Sequence, residues 1–185
     1  SKFFHIITIM LNYQKESCEL TLKEGIEEYR KYLRANNRHV LGENCSEDEK
    51  LTILGHDATH VIFGLDTSLE EESMLDCWVI FGGDVFKIIK EYFKGSLDLK
   101  ETNEKVFDLA NEVGYLKFTY LYLRVMFQKW PKIFFRTRKM KKWSYFFPAD
   151  FLEKKISDLR KDFNIKILSP EERKMKKISW QRAIS

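Results

Sequence analysis

Between Ser46 and Phe93 the chain writes a helix, a stop and a second helix, with so little sequence between them that the two must fold back on one another. Ser46 and Glu49 have the spacing of a capping box, and Leu51, Ile53 and Leu54 open an apolar face. Gly64 suits the left-handed residue that ends a helix, and Asp66-Thr67-Ser68 makes a turn. Thr67 with Glu70, or Ser68 with Glu71, then caps a helix that carries Leu75, Trp78, Val79, Val85, Phe86, Ile89 and Phe93 to an end at Gly95. Gly82-Gly83 would bend that helix or admit a close neighbour.

Helical periods recur along the chain. Leu22, Ile26, Tyr29 and Leu33 form a stripe over Thr21 to Asn36. Glu101 to Glu112 and Tyr115 to Lys129 read as further helices, the second broken by Pro131. From Phe147-Pro148 another runs through Leu152, Ile156 and Leu159 to Phe163. Three prolines and eight glycines leave few stops for short strands, and a β pattern shows only at Phe4 to Met10. The expected class is mainly α, a single-domain antiparallel helical bundle with a lipid-sized groove. It would comprise a hairpin at 46–95, aromatic and basic helices at 113–163 and a basic tail at 170–185. A chain of 185 residues can bury roughly two-thirds of its unfolded surface in one such domain.

Three cysteines (Cys18, Cys45, Cys77) without a CxxC pair argue for a reducing compartment and against a disulfide framework. No apolar run reaches the ~18 residues of a membrane-spanning helix. Phe3 to Leu11 lacks the basic flank of a signal peptide.

The hairpin brings chemistry with it. His56 and His60 are four residues apart, so both imidazoles share one helix face, with Asp57 on its adjoining edge. Eleven residues separate His60 from Glu72. At 1.5 Å per residue, His60 lies about 4–5 Å below the shared turn and Glu72 about 6 Å into the returning helix, nearly level. His56 and Asp57 sit one turn further along, level with Asp76. Two imidazoles and two carboxylates at such spacing suit a divalent ion, and ligands from facing helices are a known way to build a metal centre. Solvated side chains on an acidic first turn would explain the same residues without a metal. A zincin would carry Glu where Asp57 stands. A His-Asp phosphohydrolase would also recruit His39 and Asp76 or Asp84.

The run HDATHVIFGLDTSLEEE resembles the signature of the Coq-four family of ubiquinone (coenzyme Q) biosynthesis. His56, Asp57, His60, Gly64, Leu65, Thr67 and Glu72 stand in the register of His-Asp-x-x-His, a Gly-Leu-x-Thr turn, and Glu after eleven residues. The likeness spans about residues 46–86. Later, Trp143, Leu159-Arg160 and Phe163-Asn164-Ile165 are similar to the family's closing helix. Asp66 and Glu71 depart from the family's Pro and Gly, so the chain looks like a divergent member.

The resemblance implies a helical protein that binds a long isoprenoid lipid beside a divalent metal, zinc first, with iron or manganese as alternatives. His56, Asp57, His60 and Glu72 would be its ligands. It implies oxidative decarboxylation of a polyprenyl benzoate precursor, or else a non-catalytic lipid-binding or scaffold role among other quinone-biosynthesis proteins. It also implies a place at a membrane surface, cytoplasmic in a bacterium or on the matrix side of the mitochondrial inner membrane.

Residues 113–147 interleave aromatics with seven Lys or Arg between Lys129 and Lys142 and no acid among them. With an overall charge of +4, the rest of the chain sums to −3. Such a segment suits an anionic membrane, a single-stranded nucleic acid, or an aromatic core with a solvated basic face. Nucleic acid is the least expected, because no binding motif accompanies the charges.

Overall fold

A full capping box starts the first helix. The Thr21 hydroxyl accepts from the Glu24 amide, and the Glu24 carboxylate accepts from the Thr21 amide and hydroxyl. Helix α1 (Leu22–Ala35) then buries Leu22, Ile26, Tyr29 and Leu33, the stripe expected from the sequence. The computed structural model describes residues 10–36, 38, 40, 47–93, 111 and 114–175. The strand-like pattern before residue 10, Ser46 of the capping box, Gly95, the helix at 101–112, His39, Cys45 and the tail beyond 175 lie outside them.

The described chain is mainly helical, one all-α domain with no strand. Helices α2 (Glu47–Phe63) and α3 (Leu69–Gly82) form the hairpin. Gly64 adopts φ 68°; its amide donates to Val61 O and that of Leu65 donates to His60 O, a Schellman ending. Ser68 stands at the N-cap of α3 without capping it through its side chain. Asp66 organises the turn instead. Its carboxylate accepts from the Ser68 amide at 2.7 Å, and its own amide donates to Glu71 at 2.6 Å. The expected Ser68–Glu71 cap is thus replaced by an Asx turn.

The long helix expected through Gly82-Gly83 is two helices, α3 and α4 (Val85–Phe93). Gly83 is extended, and a short parallel bridge to Trp143 takes over. The Trp143 amide donates to Gly82 O and that of Asp84 to Trp143 O, both at 2.9 Å. Pro131, expected to end a helix, lies inside α5 (Tyr115–Thr137). It is exposed, so the carbonyl that loses its amide partner can turn to solvent. The single helix expected from Phe147 to Phe163 is a 3-10 turn (Ala149–Glu153) followed by α6 (Ile156–Phe163). Between them the backbone pairs with the segment before α1, Leu22 donating to Lys154 O and Ile156 to Leu20 O.

Trp143, 1% exposed, gathers Phe147, Phe151 and Phe163 around it, while Phe63 stacks on Trp78 at 4.7 Å. These aromatics are core. Arg160 of α6 is 2% exposed. Its guanidinium donates to the carbonyls of Tyr13, Lys15, Val61 and Ile62 at 2.6 to 2.9 Å, closing the carboxyl end of α2. Burial lowers it to about 10, still charged at neutral pH. The last helix among the described residues, α7 (Pro170–Arg173), sends the Arg173 guanidinium to Gly64 O at 2.8 Å. A cavity of about 450 Å³ lies between Gln14, Arg136, Ile167 and Pro170; its lining includes none of His56, His60 or Glu72, so the expected lipid groove beside them is not that cavity. No helix among the described residues is long and apolar enough to cross a membrane.

Arg160→Met should cost about 3 kcal/mol or more of stability, since four carbonyls lose their donor, measured as a lower urea midpoint at unchanged slope. Glu172 gives a pH test. Burial alone would raise its carboxyl, but the Ser169 amide, Lys132 and Arg136 outweigh that and hold it at about 2. A depressed carboxyl stabilises above its unfolded pKa and loses that contribution as pH falls towards the folded value. Wild type should therefore lose on the order of 1 kcal/mol more than Glu172→Gln between pH 5 and pH 2, solvent screening included.

Candidate metal centre

Helix α2 carries His56 and His60 one turn apart, with ring centroids 4.6 Å apart and planes at 68°. Helix α3 returns Glu72 to the same level, as the spacing predicts, with Oε1 at 3.4 Å from His60 Nε2. One donor atom from each of the three residues lies within 4.8 Å of the others. Asp57 is not among them. Its Oδ2 accepts from Arg30 Nε of α1 at 2.6 Å, and its Oδ1 is 3.5 Å from His56 Nδ1.

Whether these residues fit an ion can be judged from His60. It is 0% exposed, and its Nε2, which faces Glu72, has no hydrogen-bond partner among the described residues. Leaving a buried polar atom unpaired costs roughly 1–3 kcal/mol, so native proteins rarely do it without an unseen partner. An ion between His56, His60 and Glu72 would supply that partner. Two imidazoles with one carboxylate suit zinc, iron or manganese and leave positions open for water or substrate.

The electrostatics ready His60 as a donor, while His56 and Glu72 would have to give up protons to an ion. Burial, reinforced by the neighbouring His56, pushes His60 well below the ordinary histidine range and keeps it neutral. His56 is raised, because Asp57 and Glu72 outweigh its burial. Glu72 keeps 27% of its side chain exposed, but burial of its carboxyl end lifts it to about 8, with His56 opposing and Asp76 adding to the rise.

Several residues around the cluster were not legible as site residues. The Tyr29 ring stacks on His60, 5.0 Å away at 19°. Tyr122 of α5 donates to Asp76 Oδ2 at 3.1 Å, one turn beyond Glu72. Burial raises the Tyr145 phenol, and Asp76, Glu72 and Asp57 push it further in the same direction. The backbone of Tyr145 comes so close to Gly55 that a Cβ there would lie 2.5 Å from its carbonyl oxygen. Gly55 was the one available signal, since a glycine inside a helix costs about 1 kcal/mol relative to alanine.

No family model, curated protein or solved structure matches the chain.

Zinc titration of the purified chain, followed by native mass spectrometry, is expected to show one ion per chain, lost in His56→Ala and His60→Ala. The metal-free Glu72 carboxyl holds its proton below about 8. Ion binding at neutral pH should then release a proton, and affinity should climb with pH to about 8 and level off.

Proposed function

We propose that this chain is a divergent protein of the Coq-four type. In this reading a divalent ion held by His56, His60 and Glu72 serves the oxidative decarboxylation of a prenylated hydroxybenzoate, with an oxidant supplied from outside the chain. The observation that carries the reading is the buried His60, whose unpaired Nε2 faces Glu72 across the hairpin turn. The bound ion would anchor the substrate carboxylate and stabilise negative charge on the ring as CO₂ leaves.

The chain's own residues supply the rest. His60 is kept neutral by burial and Glu72 offsets the ion's charge. The Tyr122–Asp76 pair and Tyr145 offer polar groups close by for a ring hydroxyl. Exposed Leu116, Tyr120 and Phe127 on α5 and Phe86 and Phe93 on α4 offer apolar surface for a prenyl chain or for the membrane holding it. A His-Asp phosphohydrolase would put Asp57 on the metal, whereas Asp57 here is turned to Arg30.

Purified protein loaded with zinc, iron or manganese and given a polyprenyl hydroxybenzoate in detergent, with dioxygen as the oxidant, should release CO₂. His60→Ala should lower the rate at least about 100-fold, the scale expected when a charge-stabilising contact is lost. Tight binding of the lipid without CO₂ release from any loaded form would instead establish the non-catalytic, lipid-binding role.

A further inference from the structure

We infer that Asp57 is not a ligand but the carboxylate that orients His56, and that Arg30 of α1 clamps it in that role. The inference rests on the metal reading proposed above. Successive side chains on a helix diverge by about 100°, so with His56 and His60 sharing one face, Asp57 is turned off it. α1 occupies that side. Arg30 Nε donates to Asp57 Oδ2 at 2.6 Å, a short charge-assisted bond to a side chain only 4% exposed. The other oxygen faces His56 Nδ1 at 3.5 Å. A carboxylate beside one ring nitrogen keeps the proton there and leaves the second nitrogen bare for a metal, which is how ligating imidazoles are commonly fixed in tautomer and direction. The neighbouring Tyr29 stacks on His60. Two consecutive residues of α1 therefore brace the two histidines, and only the braced pair and Glu72 converge.

If Asp57 were a ligand through Oδ1, Arg30 on Oδ2 would compete with the ion for its charge, and removing that cation would help the metal. The two roles thus predict opposite effects of one substitution. Arg30→Met should bind zinc 10- to 100-fold more weakly than wild type, still at one ion per chain, with Arg30→Lys in between. Cobalt(II) bound to Arg30→Met should keep the intensity of its visible bands, because the number of ligands is unchanged. Asp57→Asn should also retain one ion per chain.

Zinc binding by Arg30→Met as tight as wild type or tighter would overturn the inference. So would loss of stoichiometric binding in Asp57→Asn, the behaviour expected of His60→Ala. Wild type binding no ion would remove this inference and the proposed function together, whereas intact wild-type binding with an indifferent Arg30→Met removes this inference alone. Thermal unfolding of metal-free protein shows whether Arg30→Met folds; if it does not, Arg30→Lys and Asp57→Asn decide.

Discussion

The carboxyl end of α2 is the point on which the rest of the structure depends. A helix that ends inside a protein exposes its last carbonyls to a medium without water, and each must find a donor. Here the donors come from far along the chain. Arg160 serves Val61 and Ile62, Arg173 serves Gly64, and the local Schellman bond serves His60. One charged group also reaches back to Tyr13 and Lys15, so the segment before α1, the end of α2 and helix α6 share a single guanidinium. The His60 imidazole sits at the base of this arrangement, and the turn that sets Glu72 opposite it starts there.

That anchoring explains how a buried imidazole with an unpaired Nε2 can persist. Its surroundings are over-determined: the Tyr29 ring lies on one side, the His56 ring meets it edge-on, and the α2–α3 turn is fixed by Asp66 and Glu71. A side chain held from so many directions cannot rotate to find an easier partner. The cost stays in the fold, as expected where binding geometry is set in advance of the ligand. Glu72 adds to it, since burial raises the energy of its ionised form and the neighbouring Asp76 raises it further. A divalent cation is the ligand that would relieve both the unpaired His60 Nε2 and the Glu72 carboxylate facing it.

Much of this was legible in the sequence because it is local. The stop at Gly64, the restart at Ser68 and the helical rise place His60 and Glu72 level, and the structure has them 3.4 Å apart. The α1 stripe at Leu22, Ile26, Tyr29 and Leu33 is likewise a matter of period. What failed to show was non-local. The interruption at Gly83 depends on Trp143, some sixty residues later, and the one before Ile156 depends on Leu20 and Leu22. Helical periodicity runs through both positions undisturbed, so nothing nearby announces the break. Asp57 shows the same limit: spacing puts it at the edge of the histidine face, but its engagement with Arg30 depends on how α1 lies against α2.

The basic run between Lys129 and Lys142 shows what a charge count leaves open. Seven cations without an acid suit an anionic membrane, a nucleic acid or the solvated face of an aromatic core. In three dimensions Lys132 and Arg136 converge on the Glu172 carboxylate, and Lys129 donates to backbone carbonyls of Glu172 and Lys174. Lys142 reaches Phe81 O, and Arg138 lies over the Phe134 ring. Much of the run therefore fastens the closing segment of the described chain to α5. A membrane attraction of about 1 kcal/mol per basic residue near the surface applies only to cations still free to face it. Such docking would accordingly depend less on the charge excess than on the exposed apolar residues of α4 and α5, Phe86, Phe93, Leu116 and Phe127 among them.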